Sequence, residues 1–315
     1  MERSEKLKTH FPHRIFTFVV VLTSTLSTFA SGFLVRDLEH YPFLVDTLAS
    51  MQFPDSANHK KKDVFFGKLD SLVLCGTGKI SVLHIGGSHV QADFFSHRVR
   101  CHLDSLNDGK KTSRGVFFPF SVAKTNNPLN YKVSYKGNWT TSRCVLPKER
   151  NAHFGMTGIA VSTSDTCAEI SVKLNLDTAS RWNFTRLRLL GYADLPCMPV
   201  ITNASANTDV LPIFDKENGS YLFQFSEPKD SFTLRIRQTD SLPRNFTVCG
   251  FIAENDEDGV VYHSIGVNGA AVSSYLACEN FERDLRLIKP DMVVFAIGIN
   301  DAVPLNFSEE RFISM

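Results

Sequence analysis

The chain has 315 residues, of which 43% are hydrophobic and 21% charged, a composition that excludes a disordered, collagenous or coiled-coil protein. It is long enough for one large domain or two modest ones. Lys and Arg number 34 against 33 Asp and Glu, and the resulting net charge of +1 argues against a nucleic-acid partner, which calls for a basic excess.

The first 32 residues follow the order of an export signal. Basic residues in 1–14 precede an apolar run over 15–29, and the small residues Ala30, Ser31 and Gly32 come next. This order is typical of a cleaved signal peptide, and the run is too short and too rich in hydroxyls to favour an uncut span. We therefore expect an exported protein, periplasmic, in the cell envelope or secreted, with no stable membrane span after cleavage.

Residues 33–114 form the first part of a predicted α/β domain. After a lead-in over 33–62, apolar spacing predicts a helix over 64–74, which Gly76 ends. The apolar run 80–86 predicts a buried parallel strand. Residues 91–106 predict one continuous helix, whose inward residues are Phe94, Phe95, Val99, His102, Leu103 and Leu106.

Residues 115–258 change to short alternating runs separated by turn residues, which predicts an antiparallel β-sandwich. The runs cover 132–135, 168–174, 184–190, 221–225, 232–237 and 246–252.

Residues 259–315 return to the α/β pattern. They predict a strand over 260–264, a helix over 271–288 and a second buried strand over 292–298. The inward side of this helix is predicted to carry Tyr275, Leu276, Phe281, Leu285 and Ile288. Strand, helix and strand imply a parallel sheet with crossovers. The α/β domain is thus predicted to be interrupted by an inserted β domain.

The seven cysteines are an odd number, so at least one is unpaired within the chain. Those at 144, 167, 197 and 249 lie in the predicted insert, where they either form bridges or are small buried thiols. The cysteines and histidines lack zinc spacing, and the chain has no phosphate-loop, dinucleotide or HExxH motif. We expect neither a metal nor a cofactor.

The run Gly86-Gly-Ser-His89 places a serine where the first predicted strand meets a helix. Such a turn lifts Ser88 out of the sheet beside backbone N–H groups, which suits a nucleophile. A serine here is equally typical of a helix cap. The sequence leaves both interpretations open.

Two further blocks follow later strands, at Gly269 and at Gly298-Ile-Asn-Asp301. The three blocks together resemble the SGNH (GDSL-like) hydrolase family over about residues 78–106 and 260–305. The resemblance implies a three-layer, flavodoxin-like α/β domain. It implies that Ser88 is the nucleophile, that the N–H groups of Ser88 and Gly269 and the amide of Asn300 bind the oxyanion, and that Asp301 has a supporting role.

The chain departs from the family pattern in two places. Gly87 stands where the family has Asp, and no Asp-x-x-His occurs after residue 301. Since a serine nucleophile needs a base, we expect the catalytic His and Asp beyond residue 315, in a longer protein whose sheet is C-terminally incomplete here. His89 is interpreted as supporting the site and His84 as a packing residue. For His263 two interpretations are kept, a packing residue and a weak substitute for the base. His97 and His102 are interpreted as helix-surface or packing residues.

The inserted module resembles the arrangement in bacterial peptidoglycan O-acetylesterases, and the runs 86–93 and 155–161 resemble exported SGNH proteins of the Bacteroidetes type. The resemblance implies a serine esterase that removes acyl groups, O-acetyl first, from peptidoglycan or another polysaccharide. Two alternatives are a non-catalytic glycan-binding protein on a degenerate scaffold and a hydrolase of lipid or plant-polysaccharide esters. Four aromatic residues either stack on sugars or fill the sandwich core: Tyr135, Trp139, Trp182 and Tyr192.

Overall fold

The computed structural model of the protein describes residues 59–105, 111–146, 148, 152–176, 181–194, 197–203, 208–238, 244–303 and 307–314. The expected signal segment 1–32 and most of the lead-in lie outside the described residues. Among the described helices, none is both long enough and apolar enough to cross a bilayer.

The chain begins, in its described part, with a helix, a strand and two short helices: α1 (His59–Cys75), β1 (Lys79–Gly86), α2 (Ser88–Ala92) and α3 (Phe94–Asp104). The helix predicted over 64–74 and the strand predicted over 80–86 are confirmed. Gly76 ends α1 with a φ of +65°, and its N–H donates to the carbonyl of Leu72 (2.9 Å).

The single helix predicted over 91–106 is wrong, because Asp93 adopts a left-handed conformation (φ 58°) and separates α2 from α3. The predicted inward face is correct in part: Val99 and Leu103 are partly buried against a hydrophobic cluster, whereas Phe94 and Phe95 are about two-thirds exposed (66% and 65%). The buried side chains of α3 are polar, and the reason is the ionic cluster described below. They are Ser96, Arg100 and Asp104.

The next twelve strands are β2 (Gly115–Phe117), β3 (Lys132–Lys136), β4 (Thr140–Arg143), β5 (Ile159–Thr163), β6 (Glu169–Lys173), β7 (Phe184–Ala193), β8 (Cys197–Asn203), β9 (Thr208–Val210), β10 (Ile213–Asp215), β11 (Ser220–Lys229), β12 (Ser231–Gln238) and β13 (Phe246–Glu254). They form two antiparallel sheets. One has the order β10-β11-β7-β13-β5-β4, with β2 also paired to β13, and the other has the order β3-β6-β12-β8-β9.

Aromatic side chains join the two antiparallel sheets face to face. The ring of Phe232, from β12, lies 5.0 Å from Phe251, 6.1 Å from Phe184 and 6.4 Å from Phe117, all three on the other sheet. The six strands predicted between 132 and 252 are all present. Burial alternates with a period of two residues in β6 and β12, whereas β13 is buried along nearly its whole length.

The last elements are β14 (Gly259–Gly266), α4 (Val272–Leu276), α5 (Phe281–Ile288), β15 (Met292–Ala296), α6 (Ile299–Ala302) and α7 (Glu309–Ile313). They complete a parallel sheet of three strands in the order β14-β1-β15. The structure is thus a mixed α/β fold, with a small parallel sheet and large antiparallel sheets. The chain enters the antiparallel sheets after α3 and returns to the parallel sheet at β14.

The helix predicted over 271–288 is two helices. The N–H of Asn280, in the turn between them, donates to the carbonyl of Phe154 (2.9 Å), so a contact with the antiparallel part replaces the helical hydrogen bond. The prediction that Leu276 faces inward is wrong, because it is 67% exposed. The buried carboxylate of Asp284 in α5 accepts the Met156 N–H (2.9 Å), a second link to the same segment.

The strand predicted over 292–298 is present as β15, but it is not buried. Phe295 is 70% exposed, and β15 pairs only with β1 among the described strands. An apolar run therefore predicted the strand correctly and its burial wrongly, because burial depends on neighbours that no local pattern contains.

None of the seven cysteines, all within the described residues, is in a disulfide, so the bridges considered within the insert are not formed. Cys144, Cys249 and Cys278 are buried, as expected for small apolar side chains.

Candidate functional site at the carboxyl ends of the parallel strands

Ser88 is the first residue of α2 and directly follows the carboxyl end of β1. Its side chain is exposed, and the residue in the capping position is Gly87, with no side-chain capping bond. The interpretation of Ser88 as the helix cap is therefore wrong. Its hydroxyl is accessible at the end of the central strand, where ligands bind to open parallel sheets.

Two glycines allow α2 to lie this close to the sheet. A Cβ on Gly86 would lie 2.3 Å from Cγ2 of Val90, and a Cβ on Gly266 would lie 2.3 Å from the backbone nitrogen of Gln91. No real Cβ tolerates such contacts. Glycine at both positions is thus a geometric requirement of the turn that presents Ser88.

Gly269 lies on an exposed turn after β14 and has a φ of +80°, a conformation that favours glycine. Buried Gln91 holds this turn, because its Oε1 accepts the N–H of Asn268 (2.8 Å). Its Nε2 donates to Oγ1 of Thr125 and to the carbonyl of Asn126 (both 3.1 Å). Gln91 thereby joins the Ser88 helix, the Gly269 turn and a loop of the antiparallel part.

Asn300 is in α6, directly after β15, and its Nδ2 donates to the carbonyl of Ala270 (2.9 Å). The same Nδ2 lies 3.3 Å from the point where a Cβ of Gly87 would be. The fold therefore brings the Asn300 amide to the turn beside Ser88 and to the Gly269 loop. A side chain at position 87 would crowd that amide.

Asp301 supports the neighbouring helix. Both carboxylate oxygens of Asp301 accept the N–H of Val272 at the start of α4 (3.2 Å each). Tyr275, in the same helix, donates its hydroxyl to the carbonyl of Gly86 (2.8 Å). Burial raises the pKa of Tyr275 well above its usual value, so the phenol stays a neutral donor.

The predictions did not include Gln91 and Tyr275 among the site residues. The sequence carried one usable signal for Gln91, a polar residue in the Gly-Gly-Ser-His-Val-Gln run that precedes an apolar stretch. Its partners lie 34 to 177 positions away, and no local pattern reveals them.

The buried histidines have roles in the fold. Nδ1 of His84 is hydrogen-bonded to the Tyr262 hydroxyl (2.7 Å), and Nδ1 of His263 accepts the Val116 N–H (3.1 Å). Burial lowers the pKa of both, for His263 to about 3, with Arg100 and Arg114 adding to that shift. Both imidazoles are neutral near pH 7 and occupied by these bonds. His89 is exposed beside Ser88.

An ionic cluster lies on the inner side of α3. The carboxylate of Asp93 pairs with the guanidinium groups of Arg100 and Arg114, all three side chains being about 1–2% exposed. Trp182 lies against both guanidinium groups, at 5.1 and 5.4 Å from its ring centre. Asp93 also accepts hydrogen bonds from Ser96, Asn130 and Ser264.

Burial of Asp93 works against ionisation, yet its pKa lies well below the usual value because Arg100 and Arg114 outweigh that effect. Hydrogen bonds from Ser96 and Asn130 act in the same direction. The cluster is therefore a fully charged link between α3 and the antiparallel part.

The predicted sugar-stacking aromatics divide into two groups. Trp182 is fully buried in the ionic cluster and Trp139 is 9% exposed, so both fill the interior. Tyr135 is 39% exposed and Tyr192 half-buried. The described part of the chain contains no group of three or more potential metal ligands.

Comparison with known proteins gives a similarity in fold. No family model matches the chain, and no curated protein matches it. A solved structure of a peptidoglycan O-acetylesterase matches with a TM-score of 0.55 and 18% identity, covering 78% of this chain and 63% of that one. The chain resembles an esterase in its fold. It spans about 63% of the length of that esterase chain.

Two carbohydrate-binding modules also match. A family 29 module aligns at a TM-score of 0.27 and 13% identity, over 50% of this chain and 93% of the module. The family 32 module of AlyQ, in complex with 4,5-unsaturated mannuronic acid, aligns at 0.25 and 9%, over 39% and 92%. Similarity at these TM-scores does not establish a common fold.

Proposed function

We propose that this chain carries the nucleophile and oxyanion elements of an SGNH-type serine esterase, which removes acyl groups, O-acetyl first, from peptidoglycan or another polysaccharide. One observation carries the proposal. The exposed Ser88 hydroxyl at the end of β1 lies beside Gly87, and the Asn300 amide from β15 reaches that same turn. The fold similarity to a peptidoglycan O-acetylesterase supports the substrate class.

In this reaction a general base takes the proton of the Ser88 hydroxyl as its oxygen attacks the ester carbonyl, and the carbonyl oxygen becomes an oxyanion. Collapse of the oxyanion expels the sugar hydroxyl, which receives that proton from the base, and water then releases the acyl group from Ser88. The backbone N–H groups of Ser88 and Gly269 and the side-chain amide of Asn300 donate to it. Asn300 uses one N–H on Ala270 in this structure, and its second N–H is available for the oxyanion. Fixed donors of this kind stabilise charge as it develops, because they need no reorganisation during the reaction.

The test is acetate release from O-acetylated glycan by the full-length protein, in its wild-type form and with single substitutions. Ser88→Ala should abolish release, and Asn300→Ala should lower the rate by about 10²–10³ because one oxyanion donor is lost. Ser226→Ala, an exposed serine on β11, is the matched control and should keep the wild-type rate. Equal rates for the wild type and Ser88→Ala would contradict the proposal.

A glycan-binding protein without catalysis is the second candidate. It is favoured because, among the described residues, no histidine is hydrogen-bonded to the Ser88 hydroxyl, and an unassisted serine is a poor nucleophile. A fluorophosphonate probe separates the two candidates, because only an activated hydroxyl reacts. Labelling of the full-length protein that Ser88→Ala removes supports the esterase, whereas a full-length protein that is not labelled but retains glycan affinity supports the binding protein.

A further inference from the structure

A groove of about 480 Å³ lies on the five-stranded antiparallel sheet, in a different part of the chain from Ser88. It is lined by residues of β3, β6, β8, β9 and β12, with β11 at its side. Its lining is about half polar, and the polar half carries hydroxyl and ammonium groups: Lys132, Ser134, Ser171, Lys173, Thr202, Lys229, Ser231 and Thr233.

Three lysines meet in this groove without an acidic partner. Lys132 of β3 lies directly opposite Lys173 of β6, and Lys229 lies at the end of β11. Like charges directly opposite each other on neighbouring strands destabilise a sheet. No described carboxylate forms an ion pair with any of the three; the nearby Asp230 instead accepts the hydroxyl of Ser231 (2.9 Å).

The other charged residues of the same sheet are paired. Glu169 forms ion pairs with Lys136 (2.9 Å) and Arg235 (2.7 Å), and Asp209 forms one with Arg237 (3.4 Å). Among the described residues of this sheet, Lys132 and Lys173 are the charged groups without an ion pair, and both line the groove. The groove therefore carries positive charge without a counter-ion, and this charge is complementary to an anionic ligand.

The remaining lining is suited to a sugar. The hydroxyls of Ser171 and Thr233 bond to each other (2.9 Å), and each retains capacity for a ligand hydroxyl. Phe225 forms part of the wall, half-buried, with its ring packed edge-on against Phe184 (5.7 Å). An aromatic side chain among hydroxyls offers a sugar ring apolar contact and hydrogen bonds together.

We propose that this groove binds an acidic polysaccharide, with Lys132, Lys173 and Lys229 contacting the carboxylates of its uronic acid units. Hydroxyls and an aromatic wall favour a glycan over an acidic peptide, which would gain little from either. The proposal extends the proposed function by naming a substrate class, and its test does not depend on Ser88 as a nucleophile.

The test measures binding of polygalacturonate by the full chain, with the fully methyl-esterified polymer as the uncharged ligand control. The wild-type chain should bind the acidic polymer more tightly, and added salt should weaken that binding. The double variant K132Q/K173Q should bind about tenfold more weakly, since two exposed charge contacts are lost. Lys216→Gln, an exposed lysine between β10 and β11, is the control and should bind as the wild type does.

Two further measurements make each outcome decisive. The thermal stability of K132Q/K173Q should equal or exceed that of the wild type, because the substitution removes opposed like charges. Ser88→Ala should bind polygalacturonate unchanged, which separates this site from the esterase proposal. Equal binding of both polymers, equal binding by K132Q/K173Q, or tighter binding of polyglutamate than of polygalacturonate would overturn the proposal.

Discussion

Asp93 shows how one residue organises its surroundings. Its left-handed backbone conformation ends α2 and precedes α3, and its carboxylate forms ion pairs with the guanidinium groups of Arg100 and Arg114. Asp tolerates this backbone conformation better than most residues do. The apolar residues Phe94 and Phe95 are turned outward as a consequence, because the chain places the charged side of α3 inward.

Asp93→Asn should lower the free energy of unfolding by roughly 3–5 kcal/mol, because it leaves two buried guanidinium groups without a counter-ion. Glu282→Gln is the control. It breaks an exposed pair with Arg286 (2.7 Å) and should cost about 0.3–0.5 kcal/mol. Urea unfolding measures both. A loss for Asp93→Asn as small as that of the control would show that the cluster does not stabilise the fold.

At the scale of elements, β14 and β2 are joined by His263. Its Nδ1 accepts the Val116 N–H, and a Cβ on Gly115 would lie 2.6 Å from that atom. The bond requires a neutral imidazole, and burial lowers the pKa of His263 to about 3. In the unfolded chain this histidine has an ordinary pKa near 6.5 and is protonated below that pH. In the folded chain it stays neutral over the same range.

The stability of the protein should therefore fall as the pH decreases from about 6.5 to about 4, since the unfolded state binds more protons in this range. In His263→Gln the side-chain oxygen can accept the same N–H without titrating. This substitution should remove most of the dependence of the unfolding free energy on pH in this range. His84 contributes in the same direction, because burial lowers its pKa too. Unfolding free energies at several pH values check the prediction, and an unchanged slope in His263→Gln would contradict it.

Below about pH 4 the carboxylate of Asp93 adds a separate dependence. Its folded pKa is lower than its unfolded one, so its stabilisation is present above the unfolded pKa and is lost as the pH falls toward the folded pKa. Burial raises the pKa of Asp104 and Asp284, and these groups give a slope of the opposite sign above about pH 4. The difference in slope between the wild type and His263→Gln therefore isolates the contribution of His263.

At the scale of the whole molecule, the parallel and antiparallel sheets share one hydrophobic core. Leu83 and Ile85 of β1 and Ile265 of β14 belong to the same buried cluster as the sandwich residues Phe232 and Phe251. The ionic cluster around Asp93 adds a second link. Residues 61–315 consequently form one compact unit.

A shared core predicts one cooperative unfolding transition for both sheets. Trp139→Phe leaves Trp182 as the single tryptophan, since the chain has two, and Trp182 reports on the ionic cluster between the helix and the sandwich. Its fluorescence and the far-ultraviolet circular dichroism should change at the same urea concentration. Two separated midpoints would mean that the sheets unfold independently.

The sequence by itself determined the three parallel strands and six of the twelve antiparallel strands, because alternation and apolar runs are local properties of those segments. The other six antiparallel strands were not predicted. It also identified Ser88, Gly269 and Asn300 as candidates for one site, and their catalytic roles stay a prediction. Only the tertiary structure decided that Asp93 divides a helix, that β15 is exposed, and that Gln91 joins three segments. These features arise from contacts between residues far apart in the chain, and local periodicity carries no information about such partners.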